Sequence, residues 1–321
     1  MQEHYRFEEP LGGIGLVRIY NFDDRCADES VAAIEALMEQ GADRIIFDVR
    51  NNGGGYAHEM VELLDYLLPQ GDLFRTVDYA GRENVDTSDK ACLDIPMAVL
   101  VNSESYSAAE FFAAALRDYD AAVIVGEQTS GKGYFQNTFK LNDGSAVALS
   151  TGKYFTPKGI SLEGVGITPD VEIDSPSYSR LVYSLVLGGV IDQYVLKFAR
   201  EHESIPAVDD FHFSDTDFED FIEFAKTQEF DYRSSAKTLY DQMKKELEKD
   251  GLADAMSAEL TALEKALEMD KERFIRLKKD EIIPFIEEEI ATRYWYQEAG
   301  VKIRLRYDEQ LKKALKTKTQ F

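Results

Sequence analysis

The stretch Met97-Ala-Val-Leu-Val101, Asn102-Ser-Glu-Ser-Tyr-Ser107, Ala108-Ala-Glu-Phe-Phe-Ala-Ala-Ala-Leu116 and Ala121-Ala-Val-Ile-Val125 decides the fold. An uninterrupted apolar run reads as a buried strand, the small polar residues as a turn, the Ala/Phe/Leu segment as a helix, and the closing apolar run as a second strand. The same order occurs earlier. Gly15–Phe22 reads as a strand, Val31–Met38 as an amphipathic helix with Asp28 or Ser30 offering its N-cap, Arg44–Val49 as a strand and Glu59–Leu68 as a helix. Strands alternating with helices predict an α/β core whose helices cover a mixed sheet. Strand patterns continue through Ala146–Leu149 and Lys153–Phe155 and end near Ile173.

Beyond Pro176 the strand signal fades. Long charged helical patterns follow over Ser234–Asp250, Leu252–Lys279 and Asp280–Tyr296, and Phe218, Phe221, Ile222 and Ala225 outline the apolar face of another helix. The 321 residues therefore divide into an α/β domain over 1–175 and an α-helical domain over 176–321. The interleaved Glu and Lys of Lys244–Arg276 read as a solvated helical face.

A net charge of −24 argues against nucleic acid or an anionic membrane as partner, since both require clustered cations. The N-terminal segment lacks the pattern of a signal peptide, and no stretch reaches the roughly 18 apolar residues of a membrane span. Cys26 and Cys92 match no metal spacing and read as buried free thiols. His4, His58, His202 and His212 are scattered, with no spacing that suits a metal, and none is well placed to act as a base.

Chemistry is concentrated in three loops. Ser107 stands at a strand-to-helix turn, where a helix N-terminus stabilises an alkoxide or oxyanion, although a serine-rich helix cap gives the same pattern. Lys132, 25 positions later in Gly126-Glu-Gln-Thr-Ser-Gly-Lys132-Gly133, can activate that serine only if it is held neutral, which calls for a dry pocket. The pair suggests a Ser-Lys hydrolase. Gly126–Lys132 also matches most of a phosphate-binding loop, yet Gly133 stands where a magnesium-binding Ser or Thr belongs, and the following Tyr134–Phe139 reads as a strand rather than a helix. The third loop, Asp48-Val-Arg-Asn-Asn-Gly-Gly-Gly55, lets backbone approach a substrate and present an amide to an oxyanion; alone, its glycines indicate only a tight turn.

Taken in order, Asp48–Gly55, Ser103–Glu110, Gly126–Gly133 with Gln136, and Gly164-Val-Gly-Ile-Thr-Pro-Asp-Val171 resemble the ordered blocks of the C-terminal processing (tail-specific) peptidases. The resemblance covers roughly Gly12–Ile173, and Ile290–Gln297 is similar to extensions carried by some bacterial members. It implies a crotonase-like fold, with Ser107 as nucleophile, Lys132 as base, Gln136 orienting that base, and the backbone amides of Gly54 and Ala108 as oxyanion hole. Asp118 fits a further acidic position of the family. The resemblance also implies an extracytoplasmic enzyme acting on polypeptides. Gly53 stands where the family commonly has proline, and because the core strand begins within about a dozen residues of Met1, the peptide-binding PDZ module usual in the family is expected to be absent from this chain, either trimmed away or lacking in this member.

The expected function is thus serine endopeptidase activity in or near C-terminal regions of proteins, with no cofactor and no metal. Homo-oligomerisation stays open. The main alternative is a non-catalytic member of the same fold that binds a ligand or peptide; a nucleotide-binding protein using Gly126–Lys132 is a lesser one.

Overall fold

The computed structural model describes residues 3–7, 13–89, 92–230, 235–267 and 271–317; the side chain of His4, and Ser234, lie outside the described residues. In chain order the elements are β1 (Glu3–Phe7), β2 (Ile14–Arg18), α1 (Cys26–Glu39), β3 (Arg44–Asp48), α2 (Ala57–Leu67), β4 (Gly71–Asp78), β5 (Glu83–Ser88), β6 (Met97–Val101), α3 (Ala108–Asp118), β7 (Ala122–Gly126), β8 (Tyr134–Lys140), β9 (Ala146–Phe155) and β10 (Val171–Glu172). The helices α4 (Arg180–Leu187), α5 (Val190–Glu201), α6 (Asp215–Thr227), α7 (Ser235–Lys249), α8 (Ser257–Leu267), α9 (Lys271–Leu277), α10 (Lys279–Arg306) and α11 (Glu309–Lys316) follow.

Two compact units result, one formed by the chain up to Ser175 together with the segment from Glu309 onward, the other by Pro176–Asp308. The last helix, expected with the helical domain, belongs instead to the first unit. Leu311, Ala314 and Leu315 are buried on α11, and the helix packs against β6 and β7, so its apolar stripe is matched to the α/β unit.

The first unit holds a six-stranded mixed sheet in the order β1-β2-β3-β6-β7-β10. All pairs in it are parallel except β1 with β2. A second, antiparallel sheet has the order β5-β4-β9-β8. Strands β4 and β5 have no counterpart in the sequence reading, because Gly71–Asp78 and Glu83–Ser88 are mostly half-exposed and polar, with little of the apolar alternation that marks a strand.

Helix α3 lies at the centre of the core, and all its residues from Ala108 to Leu116 are buried. Phe112 packs edge-on against Phe47 at 5.2 Å and beside Phe22 at 5.6 Å, while Phe111 meets Phe74 at 5.4 Å and Tyr154 at 5.5 Å. A helix buried on every side has no polar face, which is why Ala108–Leu116 is apolar at every position but Glu110, whose carboxylate is taken up by hydrogen bonds.

Helix α1 begins earlier than expected. Neither Asp28 nor Ser30 caps it; the buried Glu59 accepts the backbone N–H groups of Arg25 and Ala27, each at 2.9 Å, so a carboxylate from α2 replaces the local cap. The thiols also divide: Cys26 is buried and Cys92 exposed, and burial pushes Cys26 up to about 12, which leaves it inert at neutral pH.

In the second unit, Tyr194, Phe198, Phe213, Phe221 and Ile286 belong to a separate buried cluster. Glu287, 1% exposed, accepts from the Phe213 N–H at 2.7 Å and the Tyr307 hydroxyl at 2.8 Å. Helix α10 breaks at Trp295 and Tyr296. No single helix among the described residues is long and apolar enough to cross a membrane.

Candidate active site

Three loops leave the C-terminal ends of the adjacent parallel strands β3, β6 and β7, the edge of an open α/β sheet where ligands gather. Their residues are Arg50–Gly55, Asn102–Ser107 and Glu127–Gly133. The first two are tied at several points. Asn51 N–H donates to Asn102 Oδ1 and Asn102 Nδ2 donates to Asn51 Oδ1, both at 2.9 Å. Tyr106 N–H donates to the Asn52 carbonyl at 2.9 Å, and the buried Ser105 hydroxyl donates to the Val49 carbonyl at 2.8 Å.

Ser107 is the N-cap residue of α3, with φ 54° and ψ −117°. A side-chain-bearing residue at positive φ costs on the order of 1–3 kcal/mol, held in place only when its surroundings over-determine it. Glu110, fully buried, supplies that hold. Its Oε2 accepts the Ser107 N–H and the Lys132 N–H, each at 2.9 Å. Its Oε1 accepts the Gly131 N–H at 2.7 Å and the Thr129 hydroxyl at 2.6 Å. One carboxylate therefore joins the loop of the expected nucleophile to the loop of the expected base. The Gly164–Val171 block closes the arrangement from behind: Ile167 N–H donates to Thr129 Oγ1 at 2.7 Å, and Thr129 N–H donates to the Ile167 carbonyl at 3.1 Å.

Gly54, at φ 95°, comes so close to the nucleophile that a Cβ there would meet Ser107 Cβ at 2.8 Å and the Ala108 nitrogen at 3.2 Å. The two amides expected to form an oxyanion hole are thus neighbours beside Ser107, and Ala108 opens a helix whose first N–H groups lack intrahelical acceptors. In this arrangement the Gly54 N–H donates to Asn52 Oδ1 at 2.8 Å. Asn52 is fully buried and its Nδ2 donates to the Ile19 carbonyl at 2.8 Å. An oxyanion at Gly54 would have to share or displace that bond.

Lys132 and Gln136 are both exposed. The dry pocket expected for Lys132 is not formed here, and among the described residues no hydrogen bond joins its ammonium to the Ser107 hydroxyl; what the fold brings together is the two backbones. Gln136 is the third residue of β8, paired with Ser150 just after a register shift at Phe135. Asp118 closes the other end of α3, about 16 Å along the axis from Ser107 by helix rise, and its Oδ2 accepts the Lys158 N–H at 2.9 Å. Gly126–Lys132 runs into strand β8, not into the helix that a phosphate loop requires.

Two further carboxylates brace the loops. Burial would raise the Asp48 carboxyl, but Arg50 and Arg18 outweigh it and hold it below the ordinary range. Glu127 likewise stays low despite burial, through the backbone N–H groups of Ser175 and Ser103.

Sequence reasoning passed over Glu110 and Asn52 as functional residues. The signal for Glu110 was present, since Ser107-x-x-Glu110 has the form of a capping box. Asn52 precedes glycine and had the signature of a side chain that folds back on the amide two residues on.

Residues 13–173 match the family model described as Peptidase family S41, and residues 181–317 match one described as "Probable PDZ-protease, C-terminal helical domain". The chain is 34% identical over 212 residues to a carboxyl-terminal-processing protease of Synechocystis sp., covering 62% of this chain and 48% of that protein. It is 36% identical over 163 residues to a chloroplastic C-terminal processing peptidase of Tetradesmus obliquus, covering 50% of this chain and 35% of that protein. A solved structure described as photosystem II D1 C-terminal processing protease aligns with 36% identity and a TM-score of 0.48, over 50% of this chain and 42% of that one. The chain spans about half or less of the length of these relatives.

Proposed function

Because the chain belongs to peptidase family S41, we propose that it is a serine endopeptidase that cleaves polypeptides in or near their C-terminal regions, with Ser107 as nucleophile and Lys132 as base. The observation that carries this reading is the Glu110 carboxylate, which accepts the backbone N–H groups of both residues on one oxygen. It fixes the two loops relative to each other with no role for Glu110 itself in proton transfer.

In the proposed reaction the neutral Lys132 amine takes the Ser107 hydroxyl proton as Oγ attacks the peptide carbonyl. The resulting oxyanion is met by the amides of Ala108 and Gly54. Collapse expels the amine, which receives the proton from the Lys132 ammonium and leaves an acyl-Ser107. Water, deprotonated by the same lysine, then attacks the acyl carbon; the C–Oγ bond breaks, the Lys132 ammonium returns its proton to Ser107 Oγ, and the new C-terminus is released. The exposed Lys132 and the engaged Gly54 N–H are read as a resting arrangement, from which a bound peptide would cover Lys132 and displace Asn52 Oδ1 from Gly54. Gln136 would orient the lysine from β8 once it is covered.

By the same reading, selection of substrate tails and an extracytoplasmic place of work follow the C-terminal processing relatives. The exposure of Lys132 is also what favours the rival reading, a non-catalytic binding member of the family. Incubation of the chain with a serine-reactive acylating probe, followed by mapping of the adduct, separates the two. Covalent modification at Ser107 that Lys132→Ala prevents supports the peptidase; an unmodified Ser107 together with intact peptide substrates would leave the binding reading.

A further inference from the structure

Helix α11 brings a side chain back to the loop that presents Gly54. Gln310, in its first turn, is 2% exposed. Its Oε1 accepts from Arg50 Nη1 at 2.9 Å, and its Nε2 donates to the Ile173 carbonyl at 2.8 Å. Arg50 is held from the other side by Asp48: Nε donates to Oδ1 at 2.8 Å, Nη2 to Oδ2 at 2.7 Å, and the Arg50 backbone N–H to Oδ1 at 3.1 Å. The next residue, Asn51, sits at φ 58° and begins the turn to Gly54.

A guanidinium gripped by a carboxylate on one side and an amide on the other has one orientation, and its own backbone is part of the grip. The direction in which the chain leaves β3 is therefore set by Arg50, and Gln310 ties Arg50 to Ile173, which directly follows β10 at the end of the Gly164–Val171 block. We propose that Gln310 is a positioning residue for the peptidase site: through Arg50 it holds the Asn51–Gly55 loop in the register that puts Gly54 beside Ser107. The residue type fits the task, because a single amide accepts from Arg50 and donates to Ile173. Glutamate can only accept, and leucine does neither. This inference rests on the peptidase reading for its consequence in catalysis and on the contacts alone for the latch.

The test uses the full chain with Gln310→Leu and Gln310→Glu, reading amide hydrogen exchange over Asn51–Gly55 together with kcat and KM. For Gln310→Leu, exchange in that loop is expected to rise about tenfold and kcat to fall about tenfold at unchanged KM, the scale of one lost charge-assisted hydrogen bond. Gln310→Glu, which keeps the acceptor for Arg50, is expected to fall between Gln310→Leu and the parent on both readouts. Loop exchange identical to the parent would overturn the proposal. An equal rise across β3 and β6 would overturn it too, since that reports general loosening. If exchange rises in the loop while kcat and KM stay at parent values, the latch holds the loop but does not position the site, and the proposal fails. A parent chain without peptidase activity would count against the peptidase reading, while the exchange measurement would still decide the latch.

Discussion

Ser107 and Lys132 donate their backbone N–H groups to the same oxygen, Glu110 Oε2, each at 2.9 Å. The side chain of Lys132 lies exposed, whereas the backbones of both residues are held by one carboxylate.

Ser107→Ala is expected to abolish hydrolysis of an unstructured protein substrate while leaving the melting temperature within experimental scatter, since only a nucleophile is removed. Ser103→Ala, at an exposed position, is the control that should keep parental activity. Ser105 is no such control. Its buried hydroxyl bridges Val49 and Asn102, and Ser105→Ala should cost about 1–3 kcal/mol of stability, read by denaturant unfolding. Cleavage by Ser107→Ala at the parent rate would end the assignment.

Lys132→Arg is expected to be inactive, because a guanidinium stays protonated and cannot accept the serine proton. Adduct formation with the acylating probe measures this without a substrate, and labelling of the arginine variant at the parent rate would remove Lys132 as base.

Glu110→Gln should lower both activity and stability. An amide offers one acceptor oxygen where the carboxylate offers two, so the donors on the other side lose their partner inside the core. A loss of about 1.5–3 kcal/mol is expected, measured by chemical denaturation, with kcat falling at least tenfold. A variant with parental kcat would show that the shared carboxylate does not set the site.

Gly54→Ala should fold but turn over slowly. The added Cβ would meet Ser107 Cβ at 2.8 Å, and the positive φ disfavours any side chain. Loss of one oxyanion donor by displacement lowers kcat by on the order of 10²–10³. A kcat near the parental value would place the oxyanion elsewhere.

Asp48 gives the stability a pH dependence of known sign. Its carboxyl titrates below the ordinary aspartate value in the folded chain because Arg50 and Arg18 outweigh the effect of burial. The unfolded state therefore binds the proton first as pH falls, so this contribution is fully present above about pH 4 and is lost toward the lower folded value. Melting temperature measured from pH 7 to pH 3 should fall less steeply in Asp48→Asn than in the parent. Parallel curves would refute the linkage.

The sequence was most legible where one residue type has one use. The apolar run Met97–Val101 became β6 with its bounds unchanged, and the Ala/Phe segment became the buried helix α3, since the strand holds nothing polar and Glu110 is the one polar residue of Ala108–Leu116. The capping signature Ser107-x-x-Glu110 and the glycines before Tyr56 were also visible. Strands β4 and β5 were not, because a half-exposed hairpin shows little apolar alternation, and β4 gains its other partner only from β9, distant in sequence.

By itself, then, the sequence determined the alternation of strands and helices that ends in β6, α3 and β7, the change of character at Pro176, and the loops in which candidate chemistry is concentrated, because periodicity, turn chemistry and the ordered blocks are local properties of the chain. Only the tertiary structure decided that Glu110 bonds to two loops at once, that Glu59 of α2 caps α1, that Lys132 lies exposed, and that α11 returns to set Gln310 on Arg50. Those contacts join residues up to 260 positions apart, and folding in three dimensions, not spacing along the chain, selects such pairs.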